Sequence, residues 1–385
     1  MSTERAPERS QPLVLVRDTL FDRMLAMRNR IYASPGFQRW AARFPLTQFI
    51  ARRRASALFD LCAGFVYSQV LQASVRVGLF EALRKGSQTV AELAPQISLP
   101  LDTARRLLDA ASSLKLAQRR PHDRYVLGIH GAALLGNPSV AKLVEHHALL
   151  YRDLQDPVGL LRGERASTEL GRFWSYAASN AAAPNGAQVA DYSALMASSL
   201  ALIAEDLIEA YPFAQHRCLL DVGGGEGVFL AAAAKTAPAL SLMLFDLAPV
   251  AARAREALAG AGLSRVAVVG GDLFHDTLPE GADLISLVRV ILDHDDARAL
   301  RILQSVRRAL PAGGIVLVAE PMANTRHDEA MGDAYFGFYL LAMGQGRPRT
   351  AEQITGLLGQ AGFQDMRLAK TRRPMLTRLI VATAV

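Results

Sequence analysis

Between residues 218 and 319, five short apolar runs alternate with longer segments rich in alanine and arginine. Strict alternation of strand-like and helical segments predicts a mostly parallel sheet covered by helices on both faces, because parallel neighbours need a crossover helix. The runs are CLLDV (218–222), LSLMLF (240–245), VAVV (266–269), DLISLV (283–288) and GIVLVA (314–319). We therefore expect an α/β fold with a doubly wound, Rossmann-like sheet in the carboxyl-terminal half.

A glycine-rich turn, DVGGGEG at residues 221–227, follows the first of these runs and opens a helical segment. Gly223, Gly225 and Gly227 permit a tight turn and let backbone N–H groups approach a ligand at a helix start. Val228 stands where a dinucleotide fingerprint requires its last glycine, which weakens the assignment of a nicotinamide site. A purely structural turn is the alternative.

Polar residues follow each of the next four runs: Asp246, Asp272, His294 and Glu320. In an open α/β sheet ligands bind outside the carboxyl ends of the strands, so these side chains should converge on one edge with the glycine turn. Each of them alone is explained as a cap or turn residue. Five successive strand ends with a functional group each predict a ligand site.

The region from about residue 56 to 131 shows helical periodicity and then a short strand-like segment, RYVLG. Thr89 and Glu92 have the spacing of a capping box, and apolar residues recur at helical intervals between Leu101 and Leu114. Two short helices before a strand outline a winged helix. This outline is common in DNA-binding proteins, so a regulator with salt-sensitive DNA binding and no turnover is the alternative from another class. A dimerisation module explains the apolar face equally well.

The first 60 residues hold most of the positive charge. Eleven arginines stand against five acids there, which gives +6 of the overall +7. Aromatic and apolar residues are interleaved with these arginines, so the segment is either a membrane-contacting surface or a helical extension packed on the protein. The sequence shows neither a secretory signal nor 18 consecutive apolar residues, so we expect that the chain is not an integral membrane protein. Cys62 and Cys218, far apart in the chain, favour a reducing, cytoplasmic location.

The motifs together resemble class I S-adenosylmethionine-dependent methyltransferases, and more narrowly the small-molecule O-methyltransferases with a winged-helix dimerisation domain. They are GLFEAL (78–83), LLDVGGGEG (219–227), FDLAPV (245–250), GDLF (271–274), LVRVILDHDD (287–296) and LPAGGIVLVAEP (310–321). The resemblance implies a seven-stranded sheet with an antiparallel last strand, S-adenosyl-L-methionine as cofactor, a homodimer, no metal ion and no nucleic-acid partner. The expected division is a basic helical extension (1–60), a winged-helix dimerisation and substrate-lining domain (61–190) and a methyltransferase domain (191–385).

Roles for individual positions in the cofactor site follow from the same resemblance. The glycine turn and the acid before it are expected near the methionine portion, the end of the second strand at the ribose, and GDLF at the adenine. An arginine takes the place of a lysine that often lies along the site. The cofactor-binding residues so implied are Asp221, Gly223, Gly225, Gly227, Asp246, Leu247, Asp272, Leu273 and Arg289.

The catalytic region departs from the family pattern at two positions. Asp293 occupies the place of a histidine base in many relatives, and Pro348 replaces a glutamate before the late Arg-Thr pair. Because a sulfonium is already activated, the protein must align the acceptor oxygen and help remove a proton. A histidine near its ordinary pKa suits that role, so we expect His294 to be the base, with Asp293 as heir to the position and Glu320 as an orienting carboxylate. A helix-start residue facing outward is the alternative for His294.

Two aromatic segments predict a wall for a large apolar acceptor, although ordinary core or dimer contacts explain them equally well. The expected wall residues are His147, Tyr151, Trp174, Tyr335, Phe338 and Tyr339. His146 and His147 should point to different faces of a helix and share no metal. Within the family the chain is most similar to bacterial carotenoid O-methyltransferases, which methylate the tertiary hydroxyl of 1-hydroxylated acyclic carotenoids such as demethylspheroidene. Methyltransferases of bacteriochlorophyll or polyketide biosynthesis are the alternatives.

Overall fold

The computed structural model describes residues 19–165, 167–174 and 200–385, and the chain divides into two compact units, Met1–Leu71 and Gln72–Val385. The first unit contains α1 (Leu20–Ala33), α2 (Pro35–Arg43) and most of α3 (Gln48–Arg76). Thr19 and Asp22 form a capping box at the start of α1, and the Ser34 hydroxyl caps α2. In the described part of the chain, α3 is the one helix that could cross a membrane by length and composition alone.

The second unit begins with the winged-helix arrangement that the sequence predicts. Its three-stranded antiparallel sheet has the order β1–β3–β2. The capping box of Thr89 and Glu92 is confirmed. Arg105 is bound by Asp123 in the hairpin turn, so this cation is already paired within the protein. The elements are α4 (Leu79–Arg84), β1 (Gln88–Thr89), α5 (Val90–Gln96), α6 (Leu101–Ser113), β2 (Ala117–Arg120) and β3 (Arg124–Leu127).

A helical segment connects the winged helix to the large sheet. Its helices are α7 (Ile129–Leu135), α8 (Pro138–Asp153), α9 (Pro157–Leu161), α10 (Glu169–Phe173) and α11, helical at residues 200–210. Three of them start with a proline or a polar cap: Pro138 opens α8, Asp156 caps α9 and Thr168 caps α10. The expected domain boundary at 190/191 lies outside the described residues.

The large sheet has seven strands in the order β6–β5–β4–β7–β8–β10–β9. The first five are mutually parallel, and β10 is antiparallel to both β8 and β9, which confirms the expected antiparallel last strand. All five predicted strands are confirmed to within one residue. The strands are β4 (Cys218–Val222), β5 (Ser241–Asp246), β6 (Ala267–Gly270), β7 (Leu284–Val288), β8 (Ile315–Glu320), β9 (Phe363–Ala369) and β10 (Arg378–Ala384).

Helices cover both faces of this sheet, because strand side chains alternate between two apolar layers. Leu220 and Val222 pack in the layer formed with α14 and α16, whereas Leu219 packs in the layer formed with α12 and α13. With both faces apolar, polar side chains concentrate at the strand ends. The helices are α12 (Val228–Thr236), α13 (Ala248–Gly260), α14 (Asp296–Ala309), a π-helical segment (Ala330–Tyr335), α15 (Phe336–Met343) and α16 (Ala351–Gln360).

Candidate active site

The glycine turn leaves β4 and enters α12 through three residues with positive φ. Gly223, Gly225 and Gly227 have φ of 72°, 57° and 81°, a region that strongly favours glycine. A Cβ on Gly223 would come within 2.7 Å of a Val290 methyl group, and one on Gly227 within 2.8 Å of Leu258. The backbone of this turn therefore approaches its neighbours more closely than any other residue type allows.

Asp246, at the end of β5, fastens this turn to the neighbouring strand. Its Oδ2 accepts the Gly225 N–H at 2.8 Å, and its Oδ1 accepts the Leu247 N–H at 2.7 Å. Burial raises the pKa of Asp246 to about 6, although both N–H donors lower it. Each carboxylate oxygen keeps a second lone pair, so Asp246 can still accept hydrogen bonds from a ligand hydroxyl.

Asp221 lies beneath the turn, not along the open cleft. It is fully buried, and its Oδ1 accepts the Ser286 hydroxyl at 2.6 Å. A Cβ on Gly224 would come within 2.8 Å of its Oδ2. Burial raises the pKa of Asp221 to about 7, and the charge of Asp246 contributes to the rise. Asp221 thus supports the turn from below, and direct contact with a cofactor stays a prediction.

A cleft at the carboxyl edge of the sheet collects most of the side chains predicted for the cofactor. Gly223, Asp246, Leu247, Asp272, Leu273 and Arg289 line it together with Asp293 and His294. Phe245, Phe274 and Arg298 also line it and were missed by the sequence reasoning. Phe274 belongs to the GDLF motif, and this motif was the signal that could have predicted it. The guanidinium carbon of Arg298 lies 4.2 Å from the centre of the Phe274 ring.

Glu320 holds the turn that carries Asp293. Its Oε1 accepts the N–H groups of Val290, Ile291 and Leu292 at 3.0, 2.9 and 3.3 Å. The pKa of Glu320 is raised to about 8. Burial is the main cause, and the charge of Asp293 is the second. Burial likewise raises the pKa of Asp293 to about 7, against the nearby cation of Arg289. Glu320 thus holds the backbone of the turn, and its role in orienting the base stays a prediction.

Arg349 holds the same turn from the opposite side and was not anticipated. Its guanidinium is buried and donates to the carbonyls of Ile291 at 2.7 Å and His294 at 2.6 Å. Its Nε donates to Asp296 at 2.8 Å. The available signal was the late Arg-Thr pair, in which Arg349 precedes the capping Thr350 of α16.

His294 is buried beside the adenine-side motif and does not face outward. Its ring meets Phe274 edge-on with centroids 5.3 Å apart, and among the described residues its Nδ1 has no hydrogen-bond partner. Burial lowers the pKa of His294 to about 4, and the cation of Arg298 adds to this effect. The imidazole is therefore neutral near pH 7 and a weak proton acceptor.

Two histidine–tyrosine pairs join α8 to the segment around α15. His146 Nε2 lies 2.7 Å from the Tyr339 hydroxyl, and His147 Nε2 lies 2.8 Å from the Tyr335 hydroxyl. Adjacent helical positions diverge by about 100°, so each histidine contacts a different tyrosine, and the two tyrosines are one turn apart.

The other predicted wall residues lie around these pairs. Trp174 is buried and donates its indole N–H to the Tyr339 hydroxyl at 3.1 Å. The Tyr151 ring lies 6.1 Å from that of His147, and Phe338 is half-buried on α15. Leu292 packs in the same apolar cluster as Trp174 and Tyr339, which brings this wall to the turn that carries Asp293.

Comparisons with known proteins agree with this architecture. A family model described as an O-methyltransferase domain matches residues 151–364, and an O-methyltransferase dimerisation domain matches residues 59–136. Demethylspheroidene O-methyltransferase of Cereibacter sphaeroides is 43% identical over 354 residues, which cover 92% of this chain and 93% of the relative. The Rhodobacter capsulatus protein of the same name is 38% identical over 340 residues, with 88% and 85% covered.

Solved structures show the same fold. Human N-acetylserotonin methyltransferase in complex with SAM superposes with a TM-score of 0.70 at 23% identity, over 86% of this chain and 97% of that one. PigF with SAH superposes with a TM-score of 0.70 at 25% identity, over 85% and 99%. The chain therefore belongs to the O-methyltransferase family and is an S-adenosylmethionine-dependent O-methyltransferase.

Proposed function

We propose that this enzyme methylates the tertiary 1-hydroxyl of an acyclic carotenoid of the demethylspheroidene type. The observation that carries this proposal is the 43% identity, across 92% of the chain, with a relative named for that activity. The apolar cluster around Tyr339 supports it, because an acceptor with few polar atoms binds mainly by burial of apolar surface.

The residues of the cleft suit S-adenosylmethionine. Asp246 offers acceptor positions for ribose hydroxyls, Leu247 and Leu273 offer apolar faces for the adenine, and Gly223 presents its backbone to the cleft. Asp272 and the cation of Arg289 supply further polar groups along the cleft. When bound, the cofactor supplies a methyl group activated by a sulfonium.

Asp293 is the better candidate for the base. An effective general base has a pKa close to the working pH, and Asp293 has a pKa of about 7, whereas that of His294 is about 4. His294 packs on Phe274, whereas Leu292 joins the aromatic wall next to Asp293. Asp293 therefore takes the hydroxyl proton as the acceptor oxygen gains its methyl group, and His294 shapes the cofactor side of the cleft.

Glu320 acts as a positioning residue for this base. It binds three successive N–H groups of the turn through one oxygen. Burial raises the pKa of both carboxyl groups and the charge of Asp293 raises that of Glu320, so the two groups resist ionising together. The pair then carries one negative charge, which is the form that can accept a proton.

The aromatic wall orients the acceptor. Tyr335 and Tyr339 have their hydroxyls bound to histidines, which fixes their rings beside the apolar cluster. Tyr339 accepts a hydrogen bond from the Trp174 indole, and the direction of its hydrogen bond with His146 Nε2 is set by the imidazole tautomer. Tyr151, His147 and Phe338 complete the wall.

Incubation of the purified enzyme with labelled S-adenosylmethionine tests the assignment of the acceptor. The panel is a 1-hydroxylated acyclic carotenoid in detergent, its 1-deoxy analogue, a polyphenol and a bacteriochlorophyll precursor, each followed by mass detection. We expect a gain of one methyl group on the hydroxycarotenoid and none on the deoxy control. Preferential methylation of the polyphenol or the tetrapyrrole would reject the carotenoid proposal.

The same proposal includes location and assembly. We place the enzyme in the cytoplasm as a homodimer formed through the matched dimerisation domain, with peripheral contact to the membrane through the basic extension before residue 60. The free thiols of Cys62 and Cys218 are compatible with a reducing compartment. An acceptor that partitions into lipid favours an enzyme that works at the membrane surface.

A further inference from the structure

The first unit presents a surface that is both basic and aromatic, formed by α1, α2 and the first two turns of α3 (residues 20–54). We call it the basic–aromatic surface. Between residues 19 and 60 eight arginines stand against two acids, Asp22 and Asp60, which leaves a net charge of +6. All eight are exposed: Arg23, Arg28, Arg30, Arg39, Arg43, Arg52, Arg53 and Arg54.

A chain of aromatic rings runs along the same surface. Ring centroids are 5.6 Å apart from Tyr32 to Phe37, 5.7 Å from Phe37 to Trp40 and 5.0 Å from Trp40 to Phe44. Trp40 remains 51% exposed and Phe49 70% exposed. Large apolar side chains that stay accessible together with cations mark a binding surface.

We propose that the basic–aromatic surface docks on a bilayer that contains anionic lipids. This inference rests on the proposed function and names the partner of the extension. Tryptophan and phenylalanine lie favourably at the level of the headgroups, and arginines gain free energy near anionic phosphates. The Arg54 guanidinium lies 4.6 Å from the centre of the Tyr32 ring, so cation and apolar group occupy one site.

The positive charge of the basic–aromatic surface argues against a second copy of the chain as its partner. Two such surfaces would each bring +6, and like charges across an interface repel. The matched dimerisation domain begins at residue 59, after the surface ends.

A membrane-spanning α3 also accounts poorly for the surface. The apolar stretch that would form the span follows Arg52 and Arg53, and it contains Asp60. Charges inside a membrane span are costly. Insertion of α3 would also leave the exposed aromatic groups of α2, such as Trp40, without a partner.

Flotation of the full-length protein with lipid vesicles tests the docking. We expect binding to vesicles of phosphatidylcholine and phosphatidylglycerol at about two to one, and little binding to phosphatidylcholine alone. Salt should release the protein, because the screening length falls from about 10 Å at 0.1 M to about 3 Å at 1 M. Equal binding to both vesicle types, or to neither, would overturn the proposal.

Substitutions locate the surface. Arg52→Gln, Arg53→Gln and Arg54→Gln together should weaken partitioning roughly a hundredfold, about fivefold for each arginine. Trp40→Gln with Phe49→Gln should weaken it on anionic vesicles roughly tenfold or more. A control with equal charge loss, Arg84→Gln, Arg106→Gln and Arg120→Gln, changes exposed arginines of the second unit and should keep wild-type binding. If the control variant binds vesicles as weakly as the variant of Arg52, Arg53 and Arg54, then net charge alone governs binding and the proposed surface is wrong.

Three further measurements distinguish lipid docking from a contact between copies, from an inserted helix and from an effect on methyl transfer. A change of subunit number by light scattering in the Trp40→Gln, Phe49→Gln variant would identify a contact between copies and overturn lipid docking.

Retention of the protein on membranes after washing with alkaline carbonate would identify an inserted helix and would also overturn lipid docking. Methyl transfer to a detergent-solubilised hydroxycarotenoid should be unchanged in the surface variants; its absence in the wild type would reject the proposed function, whereas flotation still decides the docking.

Discussion

At the scale of single residues, Asp293 and Glu320 bring two carboxyl groups into one buried region. Burial raises the pKa of both, to about 7 and about 8, and the charge of Asp293 makes ionisation of Glu320 still harder. A pair of this kind holds a proton near neutral pH, where isolated carboxyl groups have lost theirs. An aspartate at this position therefore has a pKa suited to the role of base that we propose for it.

Asp293→Asn should lower kcat by at least about a hundredfold, because it removes the proton acceptor with little change in shape. The acid side of the wild-type pH–rate profile should rise with an apparent pKa near 7, since Asp293 must be ionised to act. Calorimetry should show cofactor binding within a few-fold of the wild type. His294→Asn is the matched comparison, and we expect a smaller loss. The reverse order of the two losses would make His294 the base, as first expected from the sequence.

At the scale of structural elements, the turn at Ile291–Asp293 is held from two sides. Glu320, at the end of β8, accepts N–H groups of the turn, and Arg349, just before α16, donates to the carbonyls of Ile291 and His294. Both side chains are buried, so water does not replace these hydrogen bonds. The position of Asp293 is thus determined by β8 and the segment before α16, not by the turn itself.

Arg349→Met should therefore cost about 2–4 kcal/mol in free energy of unfolding, because buried carbonyls lose a charged donor. It should also lower kcat, since the turn with Asp293 loses one of its supports. Arg347→Met is the control: Arg347 pairs with the same Asp296 but is half-exposed, and its loss should change stability by about 0.5 kcal/mol or less. Denaturant unfolding of both variants measures the difference, and equal losses would contradict the supporting role of Arg349.

At the scale of the whole molecule, several raised carboxyl pKa values meet at one edge of the sheet. Asp221 and Asp293 reach about 7 and Glu320 about 8, and their folded-state values all lie above those of an unfolded chain. Such groups stabilise the fold at low pH, and this contribution is lost as the pH rises through the folded pKa. His146 and His294, lowered to about 4, act in the opposite sense below pH 6.5.

The melting temperature of the cofactor-free protein should consequently fall as the pH rises from 6.5 to about 8, a window above the histidine titration. Scanning calorimetry at constant ionic strength measures the slope. Asp293→Asn should flatten it, because the variant loses one ionisable group of the set and lowers the pKa of Glu320. A melting temperature that rises across this window, or a slope unchanged in the variant, would show that these carboxyl groups do not control stability.

Much of this molecule is readable from local patterns. The five apolar runs predicted the parallel strands to within one residue, and three of the four polar residues that follow the runs line the cleft, namely Asp246, Asp272 and His294, whereas Glu320 is buried. Both inferences use short-range information: a strand is a few consecutive residues, and parallel strands place their carboxyl ends at one edge. The glycine turn is local in the same way, since positive φ demands glycine.

The contacts that define the catalytic region lie beyond such patterns. Arg349 meets a turn more than 50 residues away, and the His146–Tyr339 pair joins residues separated by 193 positions. Burial lowers the pKa of His294 to about 4 and raises that of Asp293 to about 7, and neither shift is visible in the sequence pattern. Side-chain pKa values and distant partners depend on which surfaces the packed helices bring together, so they arise only when the chain has folded.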